Sequence, residues 1–445
     1  MIKTCITILL AAVSACLYAQ SERMVEMKPT TQSHNFERRG VSLKEALNQI
    51  TPTPLNVKKE QTGTLIVAVL LPFKAESSKA ILDAVAEMKE NRHRAKLLTD
   101  EAKTALEFYD GAMLALKKIQ NSEHQQLKME LHFFDTWGND SVINELLKEK
   151  AIKNANVIIG PATHEGAKKI AEFCKQNSIV NVQPFSPSKS ITTSNPYHVK
   201  LAPTLEAHID NMVRSLADSF MQENIVIYTT SNKSDLQAAQ RLDSILRNFD
   251  GAGKTRFNIT FFNTATAIKS EKKSVVDVLH PTKKNIVVAC AFEEPNAQMV
   301  IRQLAAAKPQ VIVYGMPTWL NSEVLRLDYL NKLNARFTEQ FVEDTLDNKK
   351  AMEFINLYRE INFSFPPKYA WLGYDVINWL YNAVEENDRF PANIQGSFYS
   401  GAGYKFQFRI AERTPKTTEK RGIDYYENTF LHLLRIQNYT LLKDW

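Results

Sequence analysis

One threonine and one serine-rich turn are the first residues in this chain that could do chemistry. Thr163 follows the apolar run Val157-Ile158-Ile159 and Gly160-Pro161, and it opens a helical pattern (Ala167, Ile170, Ala171, Phe173, Cys174). Free backbone N–H groups at a helix start favour an anion, and a hydroxyl there can add a hydrogen bond. The plainer role for Thr163 is a helix cap. The turn Ser186-Pro187-Ser188 ends a second apolar run that begins at Ile179. Strand, helix and strand at this spacing make a βαβ unit with parallel strands, so Thr163 and the serine turn share one sheet edge. That carboxyl edge is where open parallel sheets bind ligands.

This chemistry is binding. The signals for catalysis fail one by one. His164-Glu165 lacks the second histidine of the helical zinc motif, and Gly253-Lys254-Thr255 lacks the first glycine of a phosphate loop, where Asn248 stands. Gly401-Ala402-Gly403 has no strand-to-helix context, and no nucleophile–histidine–acid set has a recognisable local signature. No cofactor or metal is expected.

The 445 residues suffice for two or three domains. A hydrophobic share of 44% and a charged share of 23% are ordinary for a soluble globular protein. The net charge of +6 comes from scattered lysines and arginines. No basic stripe is present, which argues against nucleic acid as a partner.

The N-terminus reads as an address. Lys3, the apolar run Ile6 to Val13 and the small residues up to Gln20 form a signal peptide, residues 1–19, so the protein is exported to the periplasm or envelope. Two readings of its end stay open. Cleavage after Ala19 leaves Gln20 first, whereas Val13-Ser14-Ala15-Cys16 resembles a lipobox, with Cys16 lipidated as the membrane anchor. No later segment is long and apolar enough to cross a membrane. Residues 20–63, polar and proline-bearing, read as a tether. Cys174 on a helix and Cys290 in a strand are expected as separate buried thiols.

The elements that must position the edge follow in order. Strands are expected at Thr64–Phe73, Met129–Asp135, Val157–Ile159 and Ile179–Pro187, with helices Ala105–Leu116 and Val142–Ala155 between them. Gly111 inside the first helix suggests close helix–sheet packing. After Tyr197–Thr204 the alternation starts again. Helices Leu205–Phe220, Leu236–Phe249 and Ala297–Ala307 alternate with strands Asn224–Thr230, Arg256–Asn263, Ile286–Ala291 and Val311–Gly315. The tail holds helices Met352–Ile361 and Leu372–Glu385, then strand-like stretches.

Taken together, these marks resemble the type I periplasmic binding-protein family, in the branch of branched-chain amino acid binding proteins and receptor ligand-binding regions. The residues that carry the resemblance are Val67-Ala68-Val69-Leu70-Leu71-Pro72-Phe73, Phe108-Tyr109-Asp110-Gly111-Ala112, Asp135, Ile158-Ile159-Gly160-Pro161 and Gly373-Tyr374-Asp375-Val376. The leading strand and first helix also resemble envelope proteins that join this domain to a LysM module; no LysM module is evident here. The resemblance implies an α/β fold of two doubly wound parallel-sheet lobes joined by three crossings, near Tyr197–Leu205, Arg336–Leu346 and Phe398–Asn428. It divides the chain into lobe 1 (64–198 and 346–395), lobe 2 (205–335) and a final segment, 396–445, that crosses and completes lobe 2. A ligand would bind between the lobes.

In such binders, hydroxyls on the first-lobe edge hold the ligand carboxylate, which here implies Thr163, Ser186 and Ser188. From the second lobe the strand-end turns imply Ser231, Asn232, Glu293, Thr318 and Trp319. Glu293 would meet an ammonium group or stand as a solvated acid, and Trp319 and Trp137 would stack on a ligand or pack. The loop Ala162-Thr163-His164-Glu165 departs from the pattern, since it has one hydroxyl and an added acid that disfavours a carboxylate. The reading is an exported, non-catalytic solute-binding protein for a small polar ligand, working with a membrane transporter. The rival keeps the fold for contact with an envelope protein, in peptidoglycan synthesis or secretion.

Overall fold

The computed structural model describes residues 63–80, 98–122, 127–249, 257–267, 271, 273–343, 348–386, 389–413 and 422–444. The expected signal peptide, the tether and Cys16 lie outside them. The described residues form two compact units: residues 63–204 with Phe341–Phe430, and Leu205–Gln340 with residues 431–444. The chain passes between them after Thr204, Gln340 and Phe430.

The first unit is built on strands β1 (Thr64–Leu71), β2 (Lys128–Asp135), β3 (Val157–Ile159), β4 (Val180–Gln183) and β5 (His198–Lys200). Its helices are α1 (Asp100–Gln120), α2 (Asp140–Leu146), α3 (Lys150–Lys153) and α4 (His164–Asn177). The second unit contributes α5 (Leu205–Ser219), β6 (Asn224–Thr229), α6 (Lys233–Arg247), β7 (Asn258–Asn263), β8 (Asn285–Cys290), α7 (Glu294–Ala305), β9 (Val311–Tyr314), α8 (Leu327–Lys332) and β10 (Arg336–Glu339). The chain then returns to the first unit with α9 (Lys349–Asn362), α10 (Lys368–Glu385), β11 (Phe398–Ser400), β12 (Lys405–Arg413) and β13 (Gly422–Asn428). It ends in the second with β14 (His432–Gln437) and β15 (Thr440–Lys443).

The first sheet has the order β11-β12-β13-β5-β4-β3-β1-β2 and the second β15-β14-β10-β9-β8-β6-β7. Each repeats one plan. Its first strand has its successor on one side and its third strand on the other, so the strand order reverses between β1 and β3 and between β6 and β8. Alternation along β1 explains the layers. Leu65, Val67, Val69 and Leu71 enter one core, while Ala68 and Leu70 enter a second core on the opposite face. Such a strand must be apolar throughout, because both of its faces are covered.

The expected α/β fold with two mainly parallel sheets is present, and each sheet adds antiparallel strands: β12 runs antiparallel to β11 and β13, and β14 runs antiparallel to β10 and β15. Several finer expectations are corrected. Residues 398–428, expected as a crossing, add β11–β13 to the first sheet. Asp375, fully buried on α10, accepts the N–H groups of Ala402, Gly403 and Tyr404 at 2.7 Å each and fastens the β11–β12 turn. The last strand-like stretch is a hairpin whose turn residues Asn438 and Tyr439 both take positive φ, 53° and 59°. The expected helix Val142–Ala155 is broken into α2 and α3. Ile143 and Ile152 are both fully buried, yet nine residues put them on opposite sides of a continuous helix. Gly111 serves a helix–helix contact instead of a helix–sheet one. A Cβ there would meet the Ala370 carbonyl oxygen of α10, and one on Gly373 would meet that of Phe108 on α1. Cys174 and Cys290 are separate, free and buried, and burial pushes the Cys290 thiol up to about 12.

Candidate functional site

The point where strand order reverses leaves a crevice at the carboxyl ends of the strands, because the flanking connections leave to opposite faces. In the first unit that place lies beyond Leu71 and Ile159. Gly160 must approach the end of β1 closely: its φ is +86°, and a Cβ would lie 2.6 Å from the Leu70 carbonyl oxygen. The loop beyond it is held from β4. Asn181 donates its side-chain amide to the carbonyls of Ile158 and Gly160 at 3.1 Å, and Gln183 donates to Pro161 at 2.9 Å. Both amides are fully buried. They are positioning residues that the sequence reading passed over. The alternation Val180-Asn181-Val182-Gln183 was the available signal, since it puts two amides on one face of a strand.

Asp135, at the end of β2, organises the other side of the crevice. Its carboxylate accepts the N–H groups of Lys74 at 3.1 Å, Ala75 at 2.8 Å and Trp137 at 2.8 Å. Lys74 and Trp137 have positive φ, 49° and 54°, an uncommon backbone for side chains of this size. Trp137 remains 37% exposed.

Thr163 occupies the N-cap position of α4, but its side chain makes no capping bond. Its hydroxyl donates instead to Asp140 Oδ1 at 3.1 Å. The first-turn amides of α4 therefore lack a side-chain partner at the cap, while an acid stands beside the threonine. Ser186 and Ser188 follow β4, as expected. Ser186 Oγ accepts the Ser188 N–H at 3.3 Å, and Ser188 Oγ accepts the Ser190 N–H at 3.3 Å. Ser190 Oγ also lies 3.0 Å from Ser188 Oγ and 3.3 Å from His164 Nε2. His164 joins the α4 start to the serine turn. Beneath them is Lys200, fully buried on β5, whose ammonium donates to the Ser188 carbonyl and stands 5.0 Å from the Tyr425 ring centre. His198 shares its face of β5; burial, then the Lys200 charge, hold it neutral at a pKa near about 3.

In the second unit the corresponding loops bond to one another. Asp235, fully buried on α6, accepts Thr230 Oγ1 at 2.6 Å and the Phe292 N–H at 3.1 Å. Asn232 caps α6 through Ser234 N and donates its amide to Glu293 Oε1 at 2.8 Å. Glu293 is exposed and also accepts from Asn296. Thr318 donates to the Phe292 carbonyl at 3.3 Å, and Ser231 is exposed. Of the two roles open to Trp319, the geometry has the packed one. It is 3% exposed, packs on Gly315 and Phe337, and spends its indole N–H on the Ala291 carbonyl at 2.7 Å. A concavity of about 240 Å³, with Lys308, Gln310, Val311, Lys332 and Asn334 in its lining, lies at the opposite, amino end of β9. Among the described residues no group of three or more His, Cys, Asp and Glu side chains could hold a metal, and no helix is long and apolar enough to cross a membrane.

Solved structures of two transporter substrate-binding proteins share the fold. An ABC transporter substrate-binding protein from Desulfitobacterium hafniense, solved with Leu, is 14% identical, covers 85% of this chain and 99% of its own, and has a TM-score of 0.52. A Rhodospirillum rubrum protein, named for branched-chain amino acid ABC transport, is 12% identical over 85% of this chain and 99% of its own, with a TM-score of 0.56. The C-domain of LpoA from Haemophilus influenzae, named as a regulator of PBP1A, is 14% identical over 85% and 99%, with a TM-score of 0.48. No curated protein sequence matches. The family model of the receptor family ligand binding region matches residues 109–390, more than half of the chain. With two sheets of the type I periplasmic binding-protein plan, the chain belongs to the receptor ligand-binding-region family.

Proposed function

We propose that the chain is an exported, non-catalytic binding protein that takes a small polar ligand, amino acid-like in class, at the carboxyl edge of its first sheet. Thr163, Ser186 and Ser188 supply hydroxyls there, and the uncapped start of α4 supplies backbone N–H groups. The observation that carries the reading is that Thr163 stands at the α4 N-cap without capping it, which leaves those amides for a ligand. Each charged hydrogen bond so formed contributes about 1.5–3 kcal/mol. On the corresponding edge of the second unit, Ser231, Asn232, Glu293 and Thr318 are the polar groups that this reading assigns to a ligand. A membrane transporter is the partner of this reading, and the periplasm or envelope its location. Native mass spectrometry of freshly purified protein tests it. The expected result is a bound small molecule released on activation. A folded protein that carries nothing, and that binds no member of an L-amino acid panel, rejects it.

A second reading is an envelope interaction or regulatory protein that uses the fold without a small ligand. It is favoured by the second-unit edge, where Asn232, Glu293, Thr318 and Trp319 already have partners within the unit. Under this reading a protein partner protects the surface loops of the folded chain from hydrogen exchange, and amino acids do not.

A further inference from the structure

The end of α9 and the loop to α10 run Ile361-Asn362-Phe363-Ser364-Phe365-Pro366-Pro367, with Ile361 and Asn362 as the last helical residues. Ile361 is 45% exposed, Phe363 77% and Phe365 56%. Single exposed apolar residues are ordinary, but three within five positions form a patch. Its base is fixed. The Phe363 N–H donates to the Arg359 carbonyl at 3.0 Å and closes α9, while the fully buried Trp371 donates its indole N–H to the Pro366 carbonyl at 3.0 Å. Asn362, between the apolar tips, is buried.

Phe363 is the wrong residue for this place if folding were the sole requirement. It closes α9 in the left-handed conformation, φ 52° and ψ 25°, where glycine is favoured. Its ring makes no aromatic or cation contact among the described residues and belongs to neither core. Among the described residues no ring or cation contact offsets the cost of the backbone and of the exposed ring.

Charge indicates what recovers it. Next to the loop in sequence are two cations, Arg359 and Lys368, and one acid, Glu360; Lys349, Lys350 and Glu353 stand at the far end of α9. The exposed Arg359 guanidinium stands over the Phe365 ring, 5.0 Å from its centre, and has no carboxylate partner among the described residues. Protruding rings with a cation at their base suit a soft, anionic, apolar phase. A cation attracts anionic headgroups, and rings on a fixed loop lose little entropy on insertion.

We propose that this loop docks on an anionic lipid surface, with Phe363, Phe365 and Ile361 entering the acyl boundary and Arg359 meeting the headgroups. The site is independent of the ligand reading.

Vesicle flotation tests it, using the full chain with Cys16→Ser so that no acyl anchor on that residue contributes. The vesicles are equal parts phosphatidylglycerol and phosphatidylcholine, or phosphatidylcholine alone. The chain is expected to float with the anionic vesicles, less with the neutral ones, and less again as salt rises. Phe363→Gly with Phe365→Ser should weaken binding by roughly tenfold or more, the loss expected for two buried rings. Phe363→Gly alone should weaken binding while leaving the melting temperature unchanged or higher, because glycine relieves the left-handed backbone. A merely structural phenylalanine would not separate the two readouts in that direction. No flotation with anionic vesicles overturns the proposal, as does equal flotation of the variants. A self-association that the same substitutions abolish also overturns it, in favour of a second copy as the occupant.

Discussion

The two reversal points share a backbone plan and differ in how their side chains are satisfied. Beyond β1 and β3, the half-buried Asp135 gathers main-chain N–H groups, and the surrounding hydroxyls form weak contacts of 3.0–3.3 Å. Beyond β6 and β8, the fully buried Asp235 ties two loops together, and Asn232 bonds directly to Glu293. A hydroxyl has one donor and two acceptor sites, so the serines and the threonine keep capacity for a ligand. The second edge has largely spent its capacity on itself. One topology thus supports a receptive edge and a self-bonded one, and the choice lies in loop side chains that a fold comparison does not see.

The largest effect should come from breaking the self-bonded edge. Asp235→Ala leaves Thr230 and the Phe292 N–H without their buried acceptor, each worth about 1–3 kcal/mol. Urea denaturation should show a loss of several kcal/mol. Asp135→Asn keeps one acceptor oxygen in a half-exposed place and should cost less. If the two substitutions cost the same, or Asp135→Asn costs more, the contrast between the edges is wrong.

A second test uses acidity, because α1 of the first unit holds a raised carboxyl pair. Glu107 and Asp110 sit one turn apart on α1, and burial raises each to about 7, with Lys103 opposing the rise at Glu107 and Glu107 adding to it at Asp110. A raised acid stabilises the folded state fully below its unfolded pKa, and that contribution is lost as pH rises through the folded value. The window is therefore from about 4.5 to about 7. The histidines act in the opposite sense. Burial lowers His198 to about 3 and His208, in the second unit, to about 4, so their contribution is lost as pH falls below the ordinary histidine value. Stability of Glu107→Gln relative to the parent chain isolates the acid. The difference should move in favour of the variant between pH 5 and pH 8, by on the order of a few kcal/mol for a shift of this size. A difference that is flat with pH would mean that Glu107 is not held in its acid form.

The smallest effect concerns the two helix starts. Asn232 caps α6 with its side chain, so Asn232→Ala should cost about 1 kcal/mol. Thr163 does not cap α4, so Thr163→Ala should change the melting of the unliganded protein little, within about 0.5 kcal/mol. Equal costs would make Thr163 an ordinary structural cap.

These contrasts mark how far the sequence is legible. The continuous apolar runs of β1, β3, β6 and β8 announce strands buried on both faces, and the turns after β3, β4 and β6 place Thr163, Ser188 and Asn232 at carboxyl ends. What those side chains touch does not follow from spacing. The Thr163–Asp140 bond joins the starts of two helices, and the Trp319 indole turns inward because Gly315 leaves room for it. Phe398 to Ile410 alternates like strands, but the sheet is decided by β13 pairing with the edge of β5. Gly111 signals close approach without naming the partner, which comes from a helix some 260 residues later in the sequence, α10.

Calorimetric titration bears most directly on the receptive edge. The co-purified molecule, or the best binder of an L-amino acid panel, is titrated into the parent chain, Thr163→Ala, Ser188→Ala and Ser231→Ala, each melted without ligand as a control. The account predicts roughly ten- to a hundredfold weaker binding for Thr163→Ala and Ser188→Ala, with nearly unchanged melting, and a smaller change for Ser231→Ala. Unchanged affinity in both first-edge variants would contradict it and put the ligand elsewhere.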